Sequence, residues 1–206
     1  MNRIVLASSN AGKLAEMREI LADANIELVA QSQLGIADAD ETASTFVENA
    51  LLKARHAATL SGLPALGDDS GLCVEAIDGA PGLLSARYAG RHGDSAANIA
   101  KLLNTLEHVA DARRSAHFYC CIVLLRSAQD PAPLIAEGRW HGRILHAPRG
   151  DNGFGYDPVF FDPVHNVSAA EMDPALKNGI SHRGQALALL LGMLNCMHPA
   201  AKAGTG

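Results

Sequence analysis

Asp68 and Asp69 stand side by side between two apolar runs, Leu63-Pro64-Ala65-Leu66 and Leu72-Cys73-Val74. Ionised carboxylates beside a buried strand are costly unless they are hydrogen-bonded, protonated or coordinated to a metal, so the pair predicts a site. In an extended segment neighbouring side chains point to opposite faces, and only one of the two can face a given cleft. The residues alone leave open which one works.

Four other stretches carry chemistry of their own. Ser8-Ser9-Asn10-Ala11-Gly12-Lys13 joins a strand to a helix, a bend whose backbone N–H groups suit phosphate. It is neither a Walker A loop, since Leu14 stands where the Mg-binding hydroxyl belongs, nor G-x-G-x-x-G; the plainer alternative is a turn in which Asn10 caps the helix. Asp38-Ala39-Asp40-Glu41 and the Asp pair together suit a magnesium nucleotide, because Mg2+ is commonly held by one or two carboxylates plus substrate phosphates. A solvated loop is the alternative, and it fits Glu41 less well than Asp38 or Asp40. Gly153-Phe154-Gly155-Tyr156-Asp157-Pro158 presents a ring between two glycines, able to stack on a base or to fold back onto the core. Lys177 with Ser181-His182-Arg183 sets cations at a helix start, against the macrodipole by about 0.3–1 kcal/mol each. An electron-rich ligand atom would account for them, as would a solvated pair.

Alternating strand and helix signals must position these groups. Arg3 to Ala7 reads as a strand, Lys13 to Ala24 as a helix, Glu27 to Ala30 as a strand and Thr45 to about Leu60 as a helix carrying Asn49 and Lys53 on one face. Strand, turn and strand are expected from Ala65 to Ala76, a break at Asp78 to Gly82 and a helix over Ser95 to Leu106. His117 to Arg126 and Leu134 to Leu145 read as an antiparallel pair, followed by a short strand at Val159 to Phe161. Ser168-Ala169-Ala170-Glu171 has capping-box spacing, and Ser181 can cap a last helix from Arg183 to Cys196.

The chain of 206 residues, 48% hydrophobic and 19% charged, can bury a sizeable core. The expected architecture is α/β: an extended mixed sheet flanked by helices, with residues 1–198 forming one two-lobed domain around a nucleotide cleft and residues 199–206 a frayed tail. A net charge of −5 gives no general reason to bind polymeric nucleic acid, so an anionic ligand needs a local cluster of cations. The start lacks a signal-peptide core, and the longest apolar run, Ala186 to Leu194, falls short of the ~18 residues of a membrane helix. A cytoplasmic location without membrane attachment is expected. Cys73, Cys120, Cys121 and Cys196 form no C-x-x-C pair and read as small core residues, and no zinc spacing is present.

Taken together, SSNAGK at Ser8 to Lys13, ETASTFVENALLKA from Glu41 to Ala54, GDDSGLCVEAIDGAPGLLSARYAG from Gly67 to Gly90, GFGYDPVF from Gly153 to Phe160 and SHRGQAL from Ser181 to Leu187 closely resemble the inosine/xanthosine triphosphate pyrophosphatases. The resemblance covers nearly the whole chain, with Ala43 where a Gly is common and Asp40 in place of the first of two glutamates. It implies Mg2+-dependent cleavage of non-standard purine nucleoside triphosphates, ITP, dITP and XTP, to monophosphate and pyrophosphate, and a homodimer. By the same resemblance Ser8, Ser9, Asn10, Ala11, Gly12, Lys13 and Lys53 hold the triphosphate, while Glu41 and Asp69 serve the metal. Asp69 is then the general base and Ser70 touches substrate beside it, leaving Asp68 as a supporting carboxylate. Phe154, Gly155, Tyr156 and Asp157 line the base pocket, and Lys177, His182 and Arg183 complete purine recognition. A pyrophosphatase for pyrimidine or modified nucleotides, and a sensing module without turnover, are the competing readings.

Overall fold

The structure, a computed structural model, describes residues 3–24 and 26–197; the tail expected from Pro199 lies outside them. In chain order the elements are β1 (Arg3–Leu6), α1 (Ala11–Ile20), β2 (Glu27–Ala30), α2 (Phe46–Ser61), β3 (Ala65–Val74), α3 (Ser95–Thr105), β4 (Ser115–Leu125), β5 (Leu134–Ile144), β6 (Phe160–Asp162), β7 (Val167–Ser168), α4 (Pro174–Ile180) and α5 (His182–Met197), with short 3-10 turns between them. The strands form one mixed sheet in the order β2-β1-β3-β4-β5-β6-β7. β1 runs parallel to both β2 and β3, and the remaining pairs are antiparallel.

That order places a switch point at β1. The chain leaves β1 through α1 to β2 on one side, then crosses back through α2 to β3 on the other. A crevice opens at the carboxyl end of a strand whose neighbours are reached in opposite directions. β1 pairs with β3 only as far as Leu66, so Gly67 to Leu72 run on past its end with β4 as their strand partner.

The packing separates two faces. α1 and α5 cover one, where Met17, Leu66, Ile122, Leu124, Leu187 and Leu190 form a buried cluster. α2 covers the other, where Ala50 and Ala54 pack on Cys121, Val123 and Leu125. Its approach is close because position 67 is glycine: a Cβ there would lie 2.1 Å from the Ala50 carbonyl oxygen. A further cluster joins Leu72, Leu102, Leu106, Phe118, Trp140, Tyr156 and Phe160.

Several expectations are corrected. The strand, turn and strand read over Ala65 to Ala76 are one ten-residue strand, paired with β4 from Ala65 to Val74; side chains on both faces neutralise the aspartates in its middle, so no turn is needed to expose them. α1 begins at Ala11 because Asn10 Oδ1 accepts the Lys13 N–H at 3.1 Å, and it tightens to a 3-10 turn by Ala22–Ala24. Lys177 does not share the last helix but lies on α4, which Asp173 caps ahead of Pro174. α5 starts one residue earlier than expected, with Ser181 Oγ accepting the Gly184 N–H at 3.2 Å. Half of the Ser168 capping box forms: Glu171 accepts the Ser168 N–H at 2.8 Å, while the Ser168 hydroxyl donates to the Arg149 carbonyl. Cys120 and Cys121 are buried as expected, Cys73 is half-buried and Cys196 is exposed. Among the described residues no helix is long and apolar enough to cross a membrane.

Candidate active site

A cavity of about 590 Å³ opens beside the switch point. It gathers residues from every stretch singled out in the sequence. Ser8, Ser9, Asn10, Gly12 and Lys13 line it, as do Glu41, Lys53, Asp69, Ser70, Phe154, Gly155, Tyr156, Asp157, Lys177, His182 and Arg183. Ala11, the first residue of α1, is exposed and does not line it. Asp68 also stays out of the wall, lying beneath with 1% of its surface accessible.

Strand alternation sends the two aspartates into separate ion networks. Asp68 faces α1 and α5, where its carboxylate accepts from Lys13 Nζ at 2.9 Å and meets Arg183 Nη2 at 3.5 Å. From Arg183 the chain of contacts runs to Glu16, then from Glu16 to Lys177 at 2.8 Å and from Lys177 to Asp157 at 2.7 Å. Asp69 faces α2, where Lys53 Nζ donates to its Oδ1 at 2.9 Å and Asn49 Nδ2 to its Oδ2 at 3.3 Å. Lys53 also donates to Glu41 at 2.9 Å, and Arg87 stands 3.6 Å from the same carboxylate. Asn49 and Lys53 act together because they are one helical turn apart.

These surroundings give the two carboxyls opposite titration behaviour. Burial pushes Asp68 upward, but Lys13, Arg183 and Lys53 outweigh it and hold the carboxyl far below the ordinary carboxylate range. For Asp69 burial prevails over Lys53, and the Glu41 charge adds to it, so its pKa is raised. Glu41 is also desolvated, yet Lys53, Lys13 and Arg87 hold it below its usual value. One aspartate is thus a fixed anion, and its neighbour is poised to take a proton.

Beside the Asp68 network lies a second kind of surface. Phe154 covers Gly12, where a Cβ would come within 2.8 Å of the ring, and the cations of Lys177 and Arg183 stand 5.3 and 5.8 Å from its centroid. His182 stacks on Phe118 with centroids 4.8 Å apart and planes 12° off parallel. Burial first, then Arg183 and Lys177, holds its imidazole well below the usual value, so it is neutral near pH 7. Asp157 takes the Phe154 N–H at 2.9 Å, and burial raises its pKa against the pull of Lys177. Among the described residues two buried side-chain polar atoms lack a hydrogen-bond partner, His182 Nδ1 and Arg183 Nε. Such atoms are costly unless something else completes them.

Glu41 and Asp69 offer hard oxygen donors joined by one ammonium. Among the described residues no group of three or more His, Cys, Asp or Glu is placed to hold a metal. Two carboxylates could hold an ion such as Mg2+, which takes one or two of them and completes its shell with phosphate and water.

A model of the Ham1 family matches residues 4–193. The chain belongs to the Ham1 family. A relative from Xanthomonas campestris pv. campestris (strain 8004), named dITP/XTP pyrophosphatase, is 61% identical over 197 residues, covering 96% of this chain and 99% of that protein. The solved HAM1 protein of Coxiella burnetii matches with a TM-score of 0.87 at 54% identity, covering 95% of this chain and 99% of that one. The Ham1 protein of Staphylococcus aureus matches with a TM-score of 0.83 at 39% identity over the same shares. The mixed sheet with flanking helices is the Ham1 fold, and it is the α/β architecture the sequence analysis expected.

Beside this Ham1 cleft Glu16 was given no role by the sequence reading. Glu16 couples Lys177 to Arg183 from α1, and its position one turn after Lys13 was the available signal. Ser85 and Arg87 lie inside a matched stretch but had been given no role.

Proposed function

We propose that the protein hydrolyses non-standard purine nucleoside triphosphates, dITP, XTP and ITP, to the nucleoside monophosphate and pyrophosphate, using Mg2+. The observation that carries this reading is the pair of orphaned buried atoms, His182 Nδ1 and Arg183 Nε, on two residues that line the same cavity as the Lys13 loop and Asp69. Arg183 Nε can only donate. A purine with oxygen at its six-position satisfies it, whereas the amino group of adenine leaves a buried donor unpaired at about 1–3 kcal/mol. That corresponds to roughly 5- to 150-fold in selectivity.

Pyrophosphate release requires water to attack the α-phosphorus in line with the leaving pyrophosphate, so positioning and charge neutralisation dominate. The amino end of α1 and Lys13 hold the phosphates; first-turn amides there have no carbonyl one turn back to bond. Asp69 accepts the proton of the attacking water. Lys53 fixes that carboxylate, and Asn49 sets its second oxygen. When bound, Mg2+ at Glu41 and Asp69 supplies positive charge to the phosphate oxygens.

Such an enzyme acts on the free nucleotide pool of the cytoplasm, keeping deaminated purines out of nucleic acid. The resemblance also implies a homodimer, which light scattering tests. The deciding assay is pyrophosphate release from dITP, XTP, ITP, GTP and ATP with and without Mg2+. Turnover of the first three, exceeding ATP by about tenfold or more and abolished by chelation, is expected. No release from any triphosphate overturns the enzyme reading.

A further inference from the structure

Four cations of the cleft are tightly held. Lys13 pairs with Asp68, Lys53 with Glu41 and Asp69, Lys177 with Glu16 and Asp157, and Arg183 with Glu16, each within 2.9 Å and with cation side chains at most 15% exposed. Arg87 differs. Its guanidinium stands 3.6 Å from Glu41 with 37% of the side chain exposed, outside hydrogen-bond distance. Among the described residues Glu41 is its one acidic neighbour within 4 Å.

The backbone that carries Arg87 is firmly anchored. Ser85 Oγ accepts the Leu72 N–H at 2.9 Å and donates to the Gly82 carbonyl at 2.6 Å. The buried Tyr156 phenol donates to the Ser85 carbonyl at 3.0 Å. The Ala86 carbonyl accepts from Asn98 Nδ2 at 3.3 Å and from the Gly93 N–H at 2.8 Å. The 3-10 turn Gly82–Arg87 is thus fixed to β3, to the Phe154 loop and to α3, with a loosely engaged cation at its end.

Charge balance gives that cation a task. The tightly held set sets four cations against five carboxylates, Glu16, Glu41, Asp68, Asp69 and Asp157, so apart from Mg2+ and the amino end of α1 its side chains offer a triphosphate no surplus positive charge. We propose that Arg87 is a substrate-contacting residue: on nucleotide binding its guanidinium leaves Glu41 and pairs with oxygens of the β- or γ-phosphate. The inference rests on the triphosphate reading above. Leaving Glu41 costs little, because a long, half-solvated ion pair contributes little, and a planar guanidinium can span two phosphate oxygens. Tyr156 acts as a positioning residue by holding the turn through Ser85.

The test is equilibrium binding of a non-hydrolysable dITP analogue and of deoxyinosine to wild type, Arg87→Lys, Arg87→Ala and Tyr156→Phe, with melting temperatures and wild-type dITP turnover measured alongside. Arg87→Ala should weaken the triphosphate analogue about 10- to 100-fold, leave deoxyinosine within about twofold and leave the melting temperature nearly unchanged; Arg87→Lys should recover part of the loss. Tyr156→Phe should weaken the analogue by less and add nothing in the Arg87→Ala background. Unchanged triphosphate affinity, or equal loss for analogue and nucleoside, overturns the role of Arg87, and additive effects overturn that of Tyr156. Absent wild-type turnover defeats the enzyme reading instead, while the binding comparison still decides Arg87.

Discussion

Replacing each aspartate of the pair by asparagine should separate stability from chemistry. Asp68 is inaccessible and faces Lys13 and Arg183, whose side chains are 15% and 2% exposed. Removing one partner of a buried pair leaves uncompensated charge and costs about 3–5 kcal/mol. In a chain of this size each kcal/mol moves the melting temperature by about 2–4 °C, so Asp68→Asn should lower it by about 6–20 °C. Asp69 sits where its charge is already disfavoured, and Lys53 keeps Glu41 at 2.9 Å when the charge is lost. Asp69→Asn should therefore stay within about 3 °C of wild type. Its rate of pyrophosphate release from dITP should nevertheless fall about 10²- to 10⁴-fold, the usual worth of a positioned base. Differential scanning fluorimetry and a coupled pyrophosphate assay read both quantities on the same preparations. If Asp69→Asn is the less stable variant, or Asp68→Asn keeps its melting temperature while losing turnover as deeply, the assignment of the two networks is wrong.

Two other perturbations probe the Asp68 side. Glu16→Gln removes the carboxylate shared by Lys177 and Arg183; charged hydrogen bonds are worth about 1.5–3 kcal/mol each. Because Asp157 and Asp68 remain, a net loss of about 2–4 kcal/mol is expected, with weaker preference for dITP over ATP; unaltered melting and unaltered preference would refute the role of Glu16. His182 is neutral because its folded pKa lies well below 6.5. Between those values the unfolded chain binds the extra proton, so stability falls as pH is lowered from 6.5, by about 1.4 kcal/mol per pH unit. Asp69 and Asp157, with raised pKa values, work in the opposite direction from their unfolded values near 3.8 upward, and they titrate in His182→Gln as well. Comparing melting at pH 5.5 and 7.0 in the two proteins isolates the histidine; identical slopes would contradict a buried neutral imidazole.

What the sequence made legible was local. The β1, loop and α1 unit followed from apolar spacing, α2 began at Phe46, one residue after the expected start at Thr45, which caps it, and Asn49 and Lys53 shared the predicted face. The charged Asp68-Asp69 step suggested a turn because hydropathy registers charge but not its partners. Those partners come from α1, α2 and α5, and Lys177 meets Glu16 across 161 positions, beyond the reach of any local pattern. The cations at the start of α5 illustrate the same limit: the sequence offered ligand or solvent as their explanation, whereas Glu16 and Asp68 supply most of the neutralisation and leave Arg183 Nε and His182 Nδ1 unpartnered.

The adjacency of the two aspartates then acquires a physical reason. A β-strand delivers consecutive side chains to opposite faces, so one dipeptide can anchor the Arg183-Glu16-Lys177 network on the α5 face and the Lys53-Glu41 network on the α2 face. Both networks reach the same cleft because β3 runs past the end of β1, and the strand edge opens there. A one-residue slip of β3 against β4 would exchange the faces, presenting Asp68 to Lys53 and Asp69 to Arg183. The ten-residue pairing with β4 and the contact of α2 at Gly67 oppose that slip. The fold therefore specifies through strand register which carboxyl is held as a fixed anion and which has its pKa raised, with no difference in residue type between them.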